Sequence, residues 1–329
     1  MIFTEGSGLN DSLFGKSQAP IRALLEKRGE AFEQESAIKK LFVVQKSNKY
    51  AEKLTTLTAM NGFEAVGENG AYPVDEMQEG YSKTIEHMTW KDSFSISQEM
   101  IEDSTILNLR SRPEQFVAGY YRTRERFGAA MFGGAASSST SMKFAGRSFD
   151  LKGADGKALF ATDHAAKVKG AAQSNKYSNT FSADALGMVE SAMHQYKGDN
   201  GEILNVAPDT IVIPNTHALK KAVFEAIGAD KDPATSNNSF NYQFGRWNVI
   251  IWPYLNEYIP TGAWILLDSR YNQYYNGAVW FDRVELSIRS EVDGNTDANV
   301  WKGRARWGAG FNDWRFAAVA GITGATTLS

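Results

Sequence analysis

The chain has 329 residues, of which 43% are hydrophobic and 22% charged, a balance typical of a folded globular protein. Its 35 basic and 38 acidic residues give a net charge of −3, which excludes a uniformly basic nucleic-acid-binding protein. Cysteine is absent, so disulfides, thiolate metal sites and cysteine nucleophiles are excluded as well. No apolar run has the length of a membrane span and the first residues lack a secretory signal pattern, so we expect a protein that stays in the cytoplasm.

An irregular arm and an extended region make up the first part of the chain. Residues 1–17 are polar and aperiodic, and residues 20–41 are predicted to be largely helical. Residues 54–94 are rich in glycine, and the strand formers from Tyr81 to Trp90 present no clean apolar face. We predict a long two-stranded hairpin with its tip near residues 68–80, which needs a neighbouring chain because an isolated hairpin is marginal in water. A hairpin folded back onto its own domain is an equal alternative.

A long helix is predicted after this hairpin. Residues 111–114 (SRPE) have the form of a capping box, and an apolar stripe follows at helical spacing, made of Phe116, Tyr120, Phe127 and Met131. Three basic residues lie off the stripe, namely Arg122, Arg124 and Arg126. A solvated face paired with Glu125 is the simpler interpretation, and contact with nucleic acid is the alternative.

From residue 150 the pattern changes to alternating helices and strands. Helices are predicted after Ser182 and over residues 216–227, with a polar loop at 229–245. Strands are predicted at residues 210–213, 249–252, 264–267 and 283–289. Near the end, apolar residues from Trp301 to Ala309 alternate with Lys302, Arg304 and Arg306. Solvent exposure is the simpler interpretation of that basic face, and a subunit- or DNA-facing surface is the alternative.

Motifs for catalysis and metal binding are incomplete. Residues 15–17 (GKS) lack the first glycine of a phosphate loop, and residues 293–297 lack the glycine and glutamate of a calcium loop. Asp163-His164 is an adjacent acid–histidine pair, for which local hydrogen bonding is the simpler interpretation and a hydrolytic site the alternative. We therefore predict no catalytic, metal-binding or cofactor-binding residues, and a structural protein that associates with itself.

Several stretches carry, in order, a resemblance to a known family: residues 63–73 (FEAVGENGAYP) with 80–84 (GYSKT), 94–103 (FSISQEMIED), 159–164 (LFATDH), 207–214 (APDTIVIP), and 306–309 (RWGA) with 313–315 (DWR). In these stretches and their order, the chain resembles the major capsid proteins of tailed bacteriophages with the Hong Kong 97 fold. It is close in character to the Mu-type major head subunits. The first pair resembles the extended E-loop of that family, and the second stretch resembles the approach to its spine helix. The others resemble its A-domain and its closing strands.

The resemblance implies an α+β fold of the Hong Kong 97 type, in five parts. These are an N-terminal arm at 1–40, the E-loop hairpin with its flanks at 41–95, a P-domain at 96–149 with a spine helix at about 112–132, an α/β A-domain at 150–299, and C-terminal strands returning to the body at 300–329. The E-loop would lie across the adjacent subunit, and the arm would reach another neighbour. The loop at 229–245 would point towards the capsomer axis.

The resemblance also implies a function and a set of partners. Pentamers and hexamers would form an icosahedral head around double-stranded DNA, and the virion would assemble in the host bacterial cytoplasm. The partners would be other copies of the chain, a separate scaffolding protein, a portal, a decoration protein and the DNA, with no membrane involved. A separate scaffold is expected because no long helical segment precedes the arm. An encapsulin-like cargo compartment and an α/β hydrolase-like enzyme that uses Asp163-His164 are the alternatives.

Two sets of residues are candidates for contacts in such a shell. Intersubunit contacts are expected at Glu68, Tyr72, Lys83, His87, Trp90, Arg122, Arg124 and Arg126. Weak DNA contacts are expected at Lys302, Arg304 and Arg306. The Lys–Asn cross-link of some relatives is not extended to Lys83, because nothing in the sequence identifies its partner asparagine.

Overall fold

Helices and strands are bounded as follows in the computed structural model, which describes residues 2–4, 27–57, 65–68, 71–72, 74, 79–97, 99, 106–228 and 241–328. The helices are α1 at 27–35, α2 Ile38–Leu41, α3 Ile106–Ala136, α4 Ala183–His194, α5 His217–Ile227 and α6 Ser269–Tyr275. The strands are β1 Ile2–Thr4, β2 Val43–Lys46, β3 Ala51–Leu57, β4 Glu79–Glu86, β5 Met88–Ile96, β6 Ser141–Phe144, β7 Arg147–Asp150, β8 Thr210–Ile213, β9 Asn248–Ile251, β10 Trp264–Leu267, β11 Ala278–Val292, β12 Asn299–Phe311 and β13 Ala317–Ala320.

The two larger sheets of the described residues differ in where their strands come from. The first, called here the long sheet, has the order β1-β11-β12-β5, and β2 pairs with β11 on the same edge as β1. The second, the central sheet, has the order β13-β10-β8-β9. Strands β3 and β4 form a separate two-stranded ribbon, as do β6 and β7. Each larger sheet therefore combines strands that are far apart in the chain.

A continuous hydrophobic core joins α3 to both larger sheets. Phe127 and Phe132 of α3 belong to the same buried cluster as Trp280 and Trp307 of the long sheet and Trp264 of the central sheet. The rings of Phe127 and Trp307 meet edge to face with their centroids 4.8 Å apart, a favourable aromatic geometry. The helix thus packs on the long sheet within a core that continues to the central sheet.

Helix α3 is longer than the predicted spine helix. It has 31 residues, about 46 Å at 1.5 Å per residue, and Pro113 lies inside it. The capping box at 111–114 therefore does not begin the helix, and this part of the prediction was wrong. An internal proline costs a helix about 3 kcal/mol, but buried residues such as Val117, Tyr121 and Phe127 anchor the remainder of α3, so packing outweighs the local signal.

The predicted elements of the α/β part are confirmed. The Ser182 side chain caps α4 by accepting a hydrogen bond from the Ala185 amide at 3.0 Å. All four residues of β8 are buried, and α5 buries Leu219, Val223 and Ile227. Most of the loop predicted at 229–245 lies outside the described residues, which resume at 241.

Strand pairing crosses the predicted boundary between the A-domain and the C-terminal strands. Residues 278–292 form β11, which pairs with β12 along almost its whole length in the long sheet, and the domain boundaries themselves stay a prediction. Strand β13 returns to the central sheet beside β10. Which strands share a sheet depends on the pairing of distant segments, and sequence composition does not reveal that pairing.

The described part of the arm packs on its own subunit. Ala37 and Ile38 are buried in the main core. Residues 2–4 pair in parallel with Ser287 to Arg289 of β11. The contact of the arm with another subunit, which the resemblance implied, stays a prediction.

Candidate assembly surfaces

The predicted hairpin is present as the ribbon of β3 and β4. The antiparallel pairing runs from Ala51 opposite Glu86 to Leu57 opposite Glu79. Beyond the paired strands, Tyr72 is 95% exposed and Val74 is 89% exposed. Large apolar side chains grouped on a protruding segment are typical of a surface that contacts another protein.

The paired strands of the hairpin are attached to their own subunit. The Lys83 ammonium lies 2.6 Å from the Asp150 carboxylate, and Lys167 donates to the main-chain oxygens of Gly80 at 2.5 Å and Glu79 at 2.7 Å, at the far end of the pairing. Ile85 packs in a small buried cluster with β11. The structure therefore combines the two alternatives that the sequence left open, because the paired strands fold onto their own domain while Tyr72 and Val74 in the connecting segment are exposed.

A buried hydrogen bond closes the junction between the hairpin and the long sheet. Ser47 follows β2, His87 separates β4 from β5, and the two side chains are 3.1 Å apart. Ser47 also donates to Glu52 at 2.7 Å, so His87 Nε2 is the donor to Ser47 and His87 Nδ1 carries no proton. Burial, followed by the positive charge of Arg283, lowers the pKa of His87. The histidine therefore holds the junction in its neutral form.

Trp90 is used inside the subunit. Its ring stacks on Trp307 with the centroids 4.3 Å apart and the planes 8° from parallel, and it also meets Phe127 and Phe149. Lys83, His87 and Trp90 thus have intramolecular partners. Their predicted contact with another subunit stays a prediction without support from this geometry, whereas Glu68 and Tyr72 are exposed.

The three arginines of α3 differ in environment. Arg124 lies 3.0 Å from the Asp282 carboxylate and 4.9 Å from the Trp280 ring. Burial opposes its charge, but Tyr120 and Asp282 outweigh burial and raise the pKa of Arg124. Arg122 is exposed, as is Arg126, which lies 3.1 Å from Glu257. Only these last two are placed to meet another molecule.

Glu125 has partners other than the predicted arginines. Its carboxylate accepts hydrogen bonds from the Ser36 hydroxyl at 2.5 Å and from the Trp252 indole at 2.8 Å. These bonds join α3 to the break between α1 and α2 and to the end of β9. The expected solvated Arg–Glu125 face is therefore corrected, because the carboxylate turns towards the core side of the helix.

The alternation predicted for the C-terminal strand is confirmed in β12. Trp301, Gly303, Ala305 and Trp307 are buried, Lys302 and Arg304 are exposed, and Arg306 is partly exposed. In register, Arg304 lies directly opposite Lys91 of β5, and Lys302 lies directly opposite Arg289 of β11. The contact of this face with DNA stays a prediction.

The adjacent Asp163-His164 does not form a catalytic pair. Asp163 turns outward to Lys157 at 2.5 Å, whereas His164 Nδ1 lies 2.5 Å from Asp155 and Nε2 lies 3.1 Å from Asn175 Oδ1. The imidazole has no exposed surface and stacks on Trp314 at 4.3 Å. A ring enclosed in this way cannot reach a substrate, so local hydrogen bonding accounts for it.

A buried ionic network around Arg315 was not found from the sequence. Its guanidinium contacts Asp199 at 2.9 Å and Asp313 at 3.1 Å, and the Tyr271 hydroxyl donates to Asp313 at 2.9 Å. Burial opposes the charge, but the two carboxylates and Tyr271 outweigh it and raise the pKa of Arg315. The sequence shows Asp313 two positions before Arg315 in the DWR stretch. Asp199 is 116 residues away from Arg315, so no local pattern indicates that it is the second partner.

In the part of the chain that the structure describes, no group of three or more histidine, aspartate or glutamate side chains is arranged to hold a metal ion. Among the described helices, none combines the length and the hydropathy needed to cross a membrane.

Comparison with known proteins agrees with this geometry. A family model described as phage capsid protein matches residues 80–320. A structure from Mycobacterium phage Patience is similar, with a TM-score of 0.53, 11% identity, and coverage of 94% of this chain and 89% of that one. The capsid structure of the cyanophage P-SCSP1u gives a TM-score of 0.53 at 10% identity, with 87% of each chain covered. No curated protein sequence matches the chain.

A hairpin with exposed apolar side chains, a long helix packed on the long sheet, and a family match over most of the sequence together indicate a structural subunit of a viral shell. The chain belongs to the phage capsid protein family. Its fold is the Hong Kong 97-like fold of tailed-phage major capsid proteins, as the resemblance implied. The place of such a protein is the capsid of the virion.

Proposed function

We propose that this chain forms pentamers and hexamers that tile an icosahedral head around double-stranded DNA. The observation that carries the proposal is the asymmetry of the hairpin, whose paired strands are fixed to their own subunit by Lys83 and Lys167 while Tyr72 and Val74, in the segment that connects the strands, are exposed. A neighbouring copy is the simplest partner for a tip presented in this way, since repeating one head-to-tail contact closes a ring.

The proposal includes the other components of a head. A separate scaffolding protein, a portal and a decoration protein are the expected partners, and assembly takes place in the host bacterial cytoplasm. The role is structural and not enzymatic, which the enclosed geometry of His164 supports. Contacts with packaged DNA are weak, because the chain as a whole has a net charge of −3.

Sedimentation velocity of the purified protein, with negative-stain images of the fastest fraction, tests this function. We expect closed shells, sheets, or rings of five and six. A monomer or dimer at every concentration, with candidate scaffolding protein present, would contradict the proposal. Particles that enclose a copurifying enzyme in place of DNA would indicate a cargo compartment.

A further inference from the structure

Lys176 is a buried lysine whose partner is a serine. The residue is 9% exposed, and its side-chain nitrogen lies 2.6 Å from the Ser138 hydroxyl. Within the described part of the chain, that hydroxyl is the one hydrogen-bond partner of the amine, and no carboxylate forms an ion pair with it. Burial therefore lowers the pKa of Lys176 below its ordinary value of 10.5, because a buried ammonium without a counter-ion is unfavourable. The neutral amine is easier to reach here than in an exposed lysine.

The backbone on both sides of this pair is held in place. Ser138 follows α3 with a left-handed φ of 57°, and the Ser139 amide donates to the Gly134 carbonyl oxygen at 3.1 Å, which closes the helix end. Glycine is the usual residue at such a position, because a side chain is strained there. Lys176 lies in an extended segment that is bridged to Val319 of β13. The hydroxyl and the amine therefore meet where the end of α3 reaches the central sheet.

The Ser138 hydroxyl belongs to an exposed residue, whereas the amine is buried. A charged Lys176 donates to the hydroxyl oxygen, and the hydroxyl proton then points to the Phe160 carbonyl oxygen, which is 3.4 Å away. A neutral Lys176 offers a lone pair at 2.6 Å and accepts that proton instead. An exposed serine with a buried amine as its base is an arrangement that activates a nucleophile.

We propose that Ser138 and Lys176 form a nucleophilic pair, and that Ser138 is a site of covalent modification by activated acyl and phosphonyl esters. The Ser138 oxygen forms a bond to the electrophilic carbon or phosphorus, and the Lys176 nitrogen takes the hydroxyl proton. The bond to the leaving group breaks, and the group departs as an anion with the electron pair of that bond. The products are a modified serine and a protonated lysine. This single transfer is independent of assembly into a shell.

A fluorophosphonate probe tests the pair in the unassembled subunit. Its phosphorus bonds to the serine oxygen, fluoride leaves, and mass spectrometry of the digested protein locates the label. We expect Ser138 to be labelled at least about tenfold faster than Ser137, an exposed neighbour whose hydroxyl donates to the Gly133 carbonyl oxygen at 3.3 Å. The rate at Ser138 should rise with pH and level off below the pH at which an ordinary lysine loses its proton.

Two substitutions of the lysine distinguish a base from a structural contact. Lys176→Met removes the base and should slow the labelling of Ser138 by about 100-fold. Lys176→Arg keeps a donor for the hydroxyl, but arginine stays protonated, so it should slow labelling as strongly. Ser137→Ala is the matched control and should leave the labelling of Ser138 unchanged. Thermal unfolding of each variant checks that the fold is intact.

Two results would overturn the inference. One is equal labelling of Ser137 and Ser138 in the wild type, a comparison that needs no variant to fold. The other is labelling of Ser138 in Lys176→Arg at the wild-type rate. In either case Lys176 would only hold the end of α3 against the central sheet, and Ser138 would be an ordinary hydroxyl.

Discussion

The guanidinium of Arg315 lies 2.9 Å from the carboxylate of Asp199, although the two residues are 116 positions apart. Both side chains are buried, and Asp313 completes the network on the other side of the arginine. The pair ties the loop after α4 to the turn between β12 and β13. The closing segment of the chain is therefore held in place by charge as well as by packing.

Removal of the arginine should leave two buried carboxylates without their cation. We expect Arg315→Met to lower the free energy of unfolding by roughly 3–5 kcal/mol, as for other broken buried ion pairs. Urea unfolding of the unassembled subunit measures the change. Arg122→Met, at an exposed position of α3, is the control and should change stability by less than about 0.5 kcal/mol. Equal effects of the two substitutions would show that the network adds nothing to stability.

Gly119 of α3 and Gly303 of β12 line one pocket between the helix and the long sheet, and they should respond in opposite ways to alanine. A Cβ at Gly303 would lie 2.5 Å from the Phe116 ring, whereas a Cβ at Gly119 meets nothing within 4 Å. We expect Gly303→Ala to destabilise the subunit by about 1–3 kcal/mol through overpacking. Gly119→Ala should stabilise it by up to about 1 kcal/mol, since alanine is the better helix former. Thermal unfolding of both variants measures the two changes in stability. A stabilising effect of Gly303→Ala would contradict the packing of α3 on the long sheet.

The junction at His87 should make stability depend on pH. The pKa of His87 in the fold is lower than its ordinary value of 6.5, because of burial and then Arg283. The unfolded chain therefore binds more protons below that value, and stability should fall as the pH falls from about 7.5 to 5.5. Nearby Glu52 opposes this shift and Arg306 adds to it.

A neutral substitution isolates the contribution of this histidine. His87→Gln keeps a donor for Ser47 but cannot gain a proton, so the loss of stability over the same pH interval should be smaller than in the wild type. Urea unfolding at several pH values measures the two slopes. Identical slopes would mean that His87 does not titrate differently in the folded subunit.

The tip of the hairpin should matter for assembly and not for folding. Tyr72→Ser with Val74→Ser removes apolar surface that is already exposed in the single subunit, so the unfolding temperature should stay within about 2 °C of the wild type. Assembly, followed by light scattering, should need several-fold more protein. Phe224→Ser removes an exposed apolar side chain of α5 and serves as the control. An equally strong effect of Phe224→Ser would argue against a special role of the tip.

Local patterns predicted the elements, and long-range geometry decided the contacts. The cap at Ser182, the buried β8 and the alternation along β12 depend on residues close in sequence, so periodicity was sufficient. The partners of His164 and Arg315 depend on how distant strands and loops meet, which the sequence alone does not specify. The register that brings Lys91 opposite Arg304 is of the same kind.

The start of α3 shows how a correct local signal can be overruled. The capping box at 111–114 is a good helix start by composition, yet the helix continues through Pro113. Residues such as Val117 and Phe127 are buried against the long sheet, and the free energy of that packing exceeds what one proline costs. The strand formers from Tyr81 to Trp90 are the reverse case, since their lack of a clean apolar face was visible in the sequence.

The long sheet carries like charges in direct register, with Arg304 opposite Lys91 and Lys302 opposite Arg289, and these charges influence what free subunits do before they meet the right partner. An exposed apolar sheet face can associate with the same face of a second molecule and start an aggregate. Here two such faces repel each other, because each presents Lys91 and Arg304 side by side. The repulsion weakens at high ionic strength, so concentrated salt should favour disordered precipitation of free subunits. The sheet thereby protects a pool of newly made subunits from the wrong, face-to-face association.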